Sequence, residues 1–200
     1  MPDVKSRREM YSEATRQALL DAATALFAER GYPGTSLEDV AAAARVTRGA
    51  VYHHFAGKRA LFEAVLVQQE LRADAEIVAA AVAADPWQAA LQALDAFLAK
   101  SGDPEYGRLL WVEGPTALGW QRWRELEQEH AFGLVEGFIG ALVDGGYLDR
   151  RGGDSTVRFA FWMLGGAGLA LAEADEADKP RVREEWGFLI RRAMGGLAAS

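Results

Sequence analysis

The chain has 200 residues, half of them hydrophobic, which is enough to bury the core of one domain or of two small ones. It contains no cysteine, so disulfides, thiolate nucleophiles and cysteine-ligated metal sites are excluded. The formal net charge of −7 has the wrong sign for a chain that binds nucleic acid over its whole surface.

The charges are unevenly distributed along the chain. Residues 1–60 carry nine basic and seven acidic side chains, whereas residues 61–200 carry 13 basic and 22 acidic ones. No acidic residue occurs between residues 40 and 62. An asymmetry of this kind indicates a negatively charged partner for the N-terminal segment. The four basic residues of this acid-free window are Arg45, Arg48, Lys58 and Arg59.

Apolar residues recur at helical spacing throughout, so we predict an all-α fold of about nine helices. A basic, flexible arm is predicted over residues 1–11. The first helix follows it, from a cap at Ser12 to about Arg30. Ser36 and Asp39 have the spacing of a capping box, which predicts the start of a second, short helix.

A third short helix is predicted to begin at a Thr47 cap and to end near His54. Lys58 then lies in the first turn of a longer fourth helix. Two short helices joined by a tight turn and flanked by a longer one are typical of the helix-turn-helix arrangement. We therefore assign residues 1–56 to a DNA-binding domain and residues 57–200 to a second, helical domain.

The third helix has the composition expected of a helix that enters the major groove. Arg48 carries a planar guanidinium that can bond both guanine acceptors, and the small residues Gly49 and Ala50 allow close approach. Tyr52 and His53 suit contacts to phosphates or base edges. Two further residues lie at helix N-termini, where phosphate is favoured, and these are Ser36 and Lys58.

Three stretches of this region, LFAERGY at 26–32, TSLEDVA at 35–41 and VTRGAVYHHFAGKRAL at 46–61, resemble the TetR family of bacterial transcriptional regulators. The resemblance covers about residues 15–66, a third of the chain. It implies a homodimer that binds an operator and releases it when a small molecule enters the second domain. The DNA-facing positions that it implies are Thr47, Arg48, Gly49, Ala50, Tyr52, His53 and Lys58. Among these, Arg48 and His53 would select the sequence, while Tyr52 and Lys58 would hold phosphates.

The second domain is predicted to consist of further helices. Aspartate followed by proline, at residues 85–86 and 103–104, marks two helix starts. Longer helices are predicted over 120–143, 155–174 and 180–197.

Aromatic and ionisable residues share a face of the predicted 120–143 helix. Trp123, Glu127 and His130 fall on one stripe, and buried ionisable groups are costly unless they are paired or hydrated. We hypothesise an internal pocket with aromatic walls and a few polar anchors. The alternative is that Glu127 and His130 face solvent. The candidate ligand-binding residues are Phe62, Leu66, Gln69, Trp111, Glu113, Trp123, Glu127, His130 and Trp162.

The run 159–169 is apolar on all sides and contains three glycines, each of which costs about 1 kcal/mol in a helix relative to alanine. Close approach of another helix would offset that cost. We therefore predict a homodimer interface formed by the helices around 155–174 and 180–197. The alternative is a helix buried within its own chain.

Nucleophile elbows, P-loops and dinucleotide fingerprints do not occur in the sequence, so we expect no catalytic residue, no metal and no cofactor. A signal peptide and a membrane span are not expected either, which predicts a cytoplasmic protein. The function predicted is a repressor that binds a near-palindromic operator as a homodimer and releases it on binding a small, largely apolar or aromatic effector. The alternatives are a helical small-molecule-binding protein or enzyme without DNA binding, and a protein-interaction scaffold.

Overall fold

The computed structural model describes residues 7–198, so residues 1–6 of the predicted arm lie outside the described residues. Within that range the regular secondary structure is helical, apart from one isolated antiparallel bridge between Leu148 and Ala198. The prediction of an all-α fold is confirmed. The chain divides into two compact units, Met1–Leu66 and Val67–Ser200. The boundary lies ten residues beyond the predicted one, inside the fourth helix.

The N-terminal unit contains three helices and the first turns of a fourth. They are α1 (Arg7–Arg30), α2 (Leu37–Ala43), α3 (Arg48–His54) and α4 (Lys58–Ala80). Their apolar faces meet in one core, since the side chains at the helical spacings noted above are buried. The completely buried residues of this core include Leu19, Phe27, Val40, Val51, Leu61 and Phe62.

Two of the predicted caps are confirmed. The Asp39 amide donates to Ser36 Oγ at 3.1 Å, and the Ser36 amide donates to Asp39 Oδ2 at 3.0 Å, which completes the capping box of α2. The Ala50 amide donates to Thr47 Oγ1 at 3.2 Å at the start of α3. These caps fix where the two short helices begin.

The predicted start of α1 at Ser12 is wrong, because the helix begins at Arg7. Residues 7–11 contain no glycine or proline that would end a helix. Glu9 also lies in the first turn, where a negative charge is favourable near the N-terminal end of the helix dipole. Residues 7–11 of the predicted arm are therefore the first turns of α1.

The C-terminal unit begins within α4 and continues through short and long helices. A π-helical turn (Arg108–Glu113) and a 3₁₀ turn (Arg150–Gly152) interrupt the α-helices. The α-helices are α5 (Pro86–Ser101), α6 (Pro104–Gly107), α7 (Gly114–Leu118), α8 (Trp120–His130), α9 (Phe132–Asp144), α10 (Gly153–Glu173) and α11 (Lys179–Gly195).

The starts of α5 and α6 follow the predicted chemistry. Asp85 Oδ1 accepts from the Gln88 amide at 2.8 Å, and Asp103 Oδ1 accepts from the Tyr106 amide at 2.9 Å. The prediction of one helix over 120–143 is wrong, because the helix is broken at Ala131 into α8 and α9. Glycine follows two residues later, and its low helix propensity weakens the chain at this point.

Helices α5, α9, α10 and α11 enclose the main core of the C-terminal unit. Its most deeply buried residues are Leu98, Leu142, Leu148, Ala167, Leu171 and Ile190. Of the described residues, only the segment Arg150–Glu173 is long and apolar enough to cross a membrane, and a buried core helix can meet the same criteria.

Candidate nucleic-acid interface and internal cavity

Helix α3 turns one side to the core of its unit and the other to solvent. Val51 and Phe55, four residues apart, are both buried and set the rotation of the helix. Ala50, whose amide bonds to the cap, is half-buried. The exposed residues of the cap and helix are Thr47, Arg48, Gly49, Tyr52 and His53. The predicted α3 positions therefore lie together on its accessible side.

Arg48 is held by two neighbours on the exposed side of α3. Its guanidinium lies 2.9 Å from Glu38 Oε1 on α2 and donates to the Tyr52 hydroxyl at 3.3 Å. The guanidinium carbon also lies 5.5 Å from the centre of the Tyr52 ring. The bond to Tyr52, followed by the charge of Glu38, raises the pKa of Arg48. The side chain is thus orientated away from the core in a charged form.

Lys58 and Ser36 lie near the connection between α1 and α2. Lys58 Nζ lies 4.4 Å from the centre of the Tyr32 ring and donates to the Pro33 carbonyl at 3.4 Å. The Ser36 hydroxyl donates to Asp39 at 2.5 Å, and this bond holds the pKa of Asp39 below its ordinary value. The ammonium of Lys58 is accessible from solvent, whereas the Ser36 hydroxyl is used within its own cap.

The C-terminal unit contains a cavity of about 150 Å³ with predominantly apolar walls. A cavity of this size can hold one benzene ring. Aromatic side chains from six helical elements contribute to the walls. They are Trp87, Phe97, Tyr106, Trp111, Trp123, Phe138, Phe161 and Trp162.

Two of these indoles rest on glycines. The π-helical turn carries Trp111, and a Cβ placed on Gly168 of α10 would lie 2.4 Å from its ring. A Cβ placed on Gly114 would lie 2.8 Å from the ring of Trp123. The two indoles are 5.9 Å apart between ring centres, in an edge-to-face arrangement. A larger residue at either glycine would displace a wall of the cavity.

Four of the nine predicted ligand-binding residues line this cavity, namely Trp111, Trp123, Glu127 and Trp162. Phe62 instead packs in the core of the N-terminal unit, with ring centres 4.9 Å from Phe27 and 5.1 Å from Tyr32. Glu113 lies 3.5 Å from Arg108. Among the described side chains, three further predicted residues are not part of the cavity lining, and these are Leu66, Gln69 and His130.

Four polar residues that sequence reasoning missed also line the cavity, and these are Glu70, Asp74, Tyr106 and Arg191. The first two are four residues apart on α4, and Ile77 follows at the next helical spacing, so they share a stripe. That pattern places them on one face of the helix, although it does not show what covers that face. Glu70 Oε1 accepts a hydrogen bond of 2.9 Å from the Tyr106 hydroxyl.

Burial dominates the electrostatics of these carboxyl groups. It raises the pKa of Glu70 to about 7, against the opposing effect of the Tyr106 bond, and the pKa of Asp74 to about 6, against the charge of His130. Burial, followed by the charges of Glu70 and Asp74, raises the pKa of Glu127 well above its ordinary value. Burial in the cavity therefore favours protonated carboxyls.

A helix-turn-helix unit joined to a helical unit with an internal cavity defines a ligand-responsive, DNA-binding transcription regulator. Residues 19–65 match the family model described as bacterial regulatory proteins, tetR family. Residues 87–197, more than half of the chain, match the model described as the tetracyclin repressor-like C-terminal domain. The chain belongs to the TetR family.

Individual relatives agree with this assignment. The TetC protein of transposon Tn10 from Escherichia coli is 27% identical over 150 residues, which are 75% of this chain and 76% of that protein. The probable acrEF/envCD operon repressor of Escherichia coli strain K12 is 51% identical over 55 residues, 28% of this chain and 25% of that repressor. A TetR-family transcriptional regulator from Pectobacterium atrosepticum has a TM-score of 0.81 and 27% identity, over 98% of this chain and 99% of that one.

Proposed function

We propose that the protein is a repressor that holds a near-palindromic operator as a homodimer and releases it when an effector occupies the C-terminal cavity. The observation that carries this proposal is the exposed side of α3, where Arg48, Tyr52 and His53 are presented together. A protein of this kind acts in the cytoplasm, by binding rather than by catalysis, and needs no metal or cofactor.

The proposed contacts to DNA divide into two groups. Arg48 and His53 read base edges in the major groove, with Gly49 and Ala50 allowing the helix to approach closely. Phosphate contacts position the unit and are supplied by the side chains or helix N-termini at Ser36, Thr47, Tyr52 and Lys58. In the dimer, two α3 helices would enter successive major grooves about 34–36 Å apart.

The effector is proposed to bind between the indoles of Trp111, Trp123 and Trp162, with Glu127 as a polar anchor. Support comes from the size of the cavity and from its aromatic walls. Effector and operator then oppose each other reciprocally, since each lowers the affinity for the other by the same factor.

Selection of bound fragments from random DNA at two salt concentrations tests the proposal directly. We expect one enriched near-palindromic sequence, and affinity that falls as salt rises because phosphate contacts release counterions. Arg48→Ala should lower discrimination between the selected sequence and random DNA by about 1–3 kcal/mol, whereas Lys58→Ala should weaken both alike.

A binding curve that is flat for every fragment at low salt would overturn the repressor proposal. Equal losses on selected and random DNA for both variants would instead contradict the roles given to Arg48 and Lys58.

A further inference from the structure

Three carboxyl groups meet in the C-terminal cavity, and the nearby charge of His130, which is outside the lining, acts on Asp74. Glu70 and Asp74 come from α4 and Glu127 comes from α8. Arg191 is the one arginine or lysine among the described lining residues, and its guanidinium is already paired with Asp95. The carboxyls therefore share one apolar space and repel one another when ionised.

Glu127 is the most exceptional of the three. Its side chain is only 3% exposed, it lines the cavity, and its Oε1 has no hydrogen-bond partner among the described residues. A buried acceptor without a donor costs stability, and a buried charge without a partner costs more. Glu70, by contrast, accepts the Tyr106 hydrogen bond. An energetic cost of this kind at a cavity wall indicates that Glu127 binds a ligand that donates a hydrogen bond to it.

The walls next to these carboxyls suit the body of an organic cation. Trp111 and Trp123 stand edge to face beside the cavity, and indole faces attract a cation through their quadrupole. Phe97 adds a third ring, 6.5 Å from Trp111 between centres. An ammonium supplies the donors that Glu127 lacks, and an aromatic ring fills a space of about 150 Å³.

Building on the proposed role of the cavity as the effector site, we propose that the effector is a protonated organic amine on an aromatic body. The ammonium donates to Glu127 and is neutralised by the carboxyls of Glu70 and Asp74. The aromatic body lies against Trp111 and Trp123. A neutral ligand of the same shape would leave the carboxyls protonated and gain no charge-assisted bond, and an anion would add repulsion.

Three probes of one shape test this charge preference on the full-length protein at neutral pH. They are phenethylamine, phenethyl alcohol and hydrocinnamate, and their binding is followed by calorimetry and by tryptophan fluorescence. We expect the amine to bind more than about tenfold more tightly than the alcohol, a charge-assisted gain, and the carboxylate not to bind. Equal affinity for amine and alcohol, tightest binding of hydrocinnamate, or no binding of the amine would each overturn the proposal.

Matched variants identify which carboxyl groups of the cavity contribute to binding of the ammonium. Glu127→Gln should weaken phenethylamine by about tenfold or more and leave phenethyl alcohol unchanged, because the cavity keeps its shape. Asp74→Asn, measured in the same way, should also weaken the amine selectively, and it provides a second reading if either variant is poorly folded. Glu136→Gln removes an exposed acid of α9 outside the lining and should change nothing. Amine affinity that survives both cavity substitutions would contradict the assignment.

Release of operator DNA separates this inference from the proposed function on which it rests. If neutral aromatic compounds release DNA and amines do not, the repressor proposal stands and the cationic ligand class is wrong. If phenethylamine binds selectively but never alters DNA affinity, the cationic site stands and its role as the effector site is wrong.

Discussion

The guanidinium of Arg48, which we propose reads base edges, also forms an intramolecular ion pair. Glu38 holds it at 2.9 Å and Tyr52 bonds it from the same helix. Both partners of the ion pair are largely exposed, so the pair itself contributes little stability. The ion pair instead affects DNA binding. Glu38 places a negative charge beside the surface that DNA would contact, and its ion pair with Arg48 must break before Arg48 can bond a base.

Glu38→Gln should therefore tighten DNA binding. Removing the charge frees Arg48 and reduces repulsion of phosphates, and about 1 kcal/mol, a factor of about five, is the size expected for an exposed pair. Gel-shift titrations with selected and random fragments measure it. Glu105→Gln, which removes an exposed acid at the start of α6, is the control. A weaker complex would show that Glu38 positions Arg48 productively instead.

Sequence reasoning found the acid-free window but could not see that Glu38, two residues before it, reaches Arg48 across the α2–α3 turn. The cap residues Ser36 and Thr47 were predictable, because capping depends on neighbours three residues away. Glu70 and Asp74 were missed since their burial depends on helices far along the chain. Phe62 was assigned to the cavity because a stripe of apolar residues does not reveal which core it faces.

Helix α10 carries glycines whose neighbours are now identified. The sequence predicted that a helix of a second subunit packs closely against them, whereas indole rings of the same chain occupy that position. Gly168 faces Trp111, and a Cβ on Gly166 would lie 3.2 Å from Trp186 of α11. The dimer proposal therefore rests on the exposed apolar side chains and no longer on the glycines.

Gly168→Ala should destabilise the protein by about 1–3 kcal/mol, the usual cost of overpacking, and shift the fluorescence of Trp111. The added methyl would lie 2.4–2.5 Å from the indole. Gly165→Ala is the matched control in the same helix, because its nearest neighbour would be at 3.8 Å. That variant should gain stability from helix propensity, by up to about 1 kcal/mol. Urea unfolding of both variants decides, and equal effects would contradict the close packing of Gly168.

The turn between α2 and α3 contains a strained residue. Arg45 adopts φ of +57°, and the amides of Arg45 and Val46 bond back to Ala42 and Ala41 at 3.1 and 3.0 Å. This is the Schellman pattern, in which glycine usually occupies the left-handed position. A side chain there costs about 1–2 kcal/mol.

Arg45→Gly should raise the free energy of unfolding by about 0.5–1 kcal/mol, after allowance for the greater freedom of glycine in the unfolded chain. Arg45→Ala removes the same charge but keeps the strain, so it should give no such gain. Thermal or urea unfolding compares the two. A stabilising alanine and a neutral glycine would attribute the effect to charge rather than to the backbone.

The C-terminal unit leaves a set of large apolar side chains exposed on two helices that pack against each other, α10 and α11. Apolar surface of this extent is typical of an interface, and we propose that a second copy covers it. The exposed residues are Phe159, Trp162, Leu169, Phe188 and Leu189.

Phe188→Arg should shift the protein from dimer to monomer at micromolar concentration, as measured by light scattering. The control is Val82→Arg, since Val82 is 78% exposed and Phe188 is 62% exposed, and the former lies outside both helices. A wild-type monomer at that concentration would remove the dimer proposal altogether.

Stability of the whole protein should fall as pH rises. The folded state holds protons on Glu70 and Asp74 with pKa values of about 7 and 6, and unfolded carboxyls titrate near pH 4. The folded state therefore binds more protons between these limits, and the free energy of unfolding decreases from about pH 4 to about pH 7. The ionisable groups beside these carboxyls are Tyr106, Glu127, His130 and Arg191.

Glu127→Gln should flatten this dependence. It replaces an acid that burial keeps protonated with a neutral group of similar shape, so it should stabilise the protein above neutral pH and have little effect in acid. The expected gain is about 1.4 kcal/mol for each pH unit between about pH 4 and the raised pKa of the folded carboxyl, because glutamine takes up no proton on folding. Unfolding measured across the pH range tests it, with the exposed Glu136→Gln as control. A parallel curve would show that Glu127 is not a source of the pH dependence.

The π-helical turn at Arg108–Glu113 makes the number of residues in this segment important for how Trp111 is placed. The Gly114 amide donates to the Leu109 carbonyl, five residues back, so this turn holds one residue more than an α-helical turn. Deleting one residue here would restore an α-helical turn, and the segments on either side would nearly keep their present register because the wide turn holds the extra residue locally. A deletion from a regular α-helix would instead rotate the residues before it by about 100° relative to those after it. Related chains could therefore gain or lose a residue at this turn, and so move Trp111, without rotating the helices on either side.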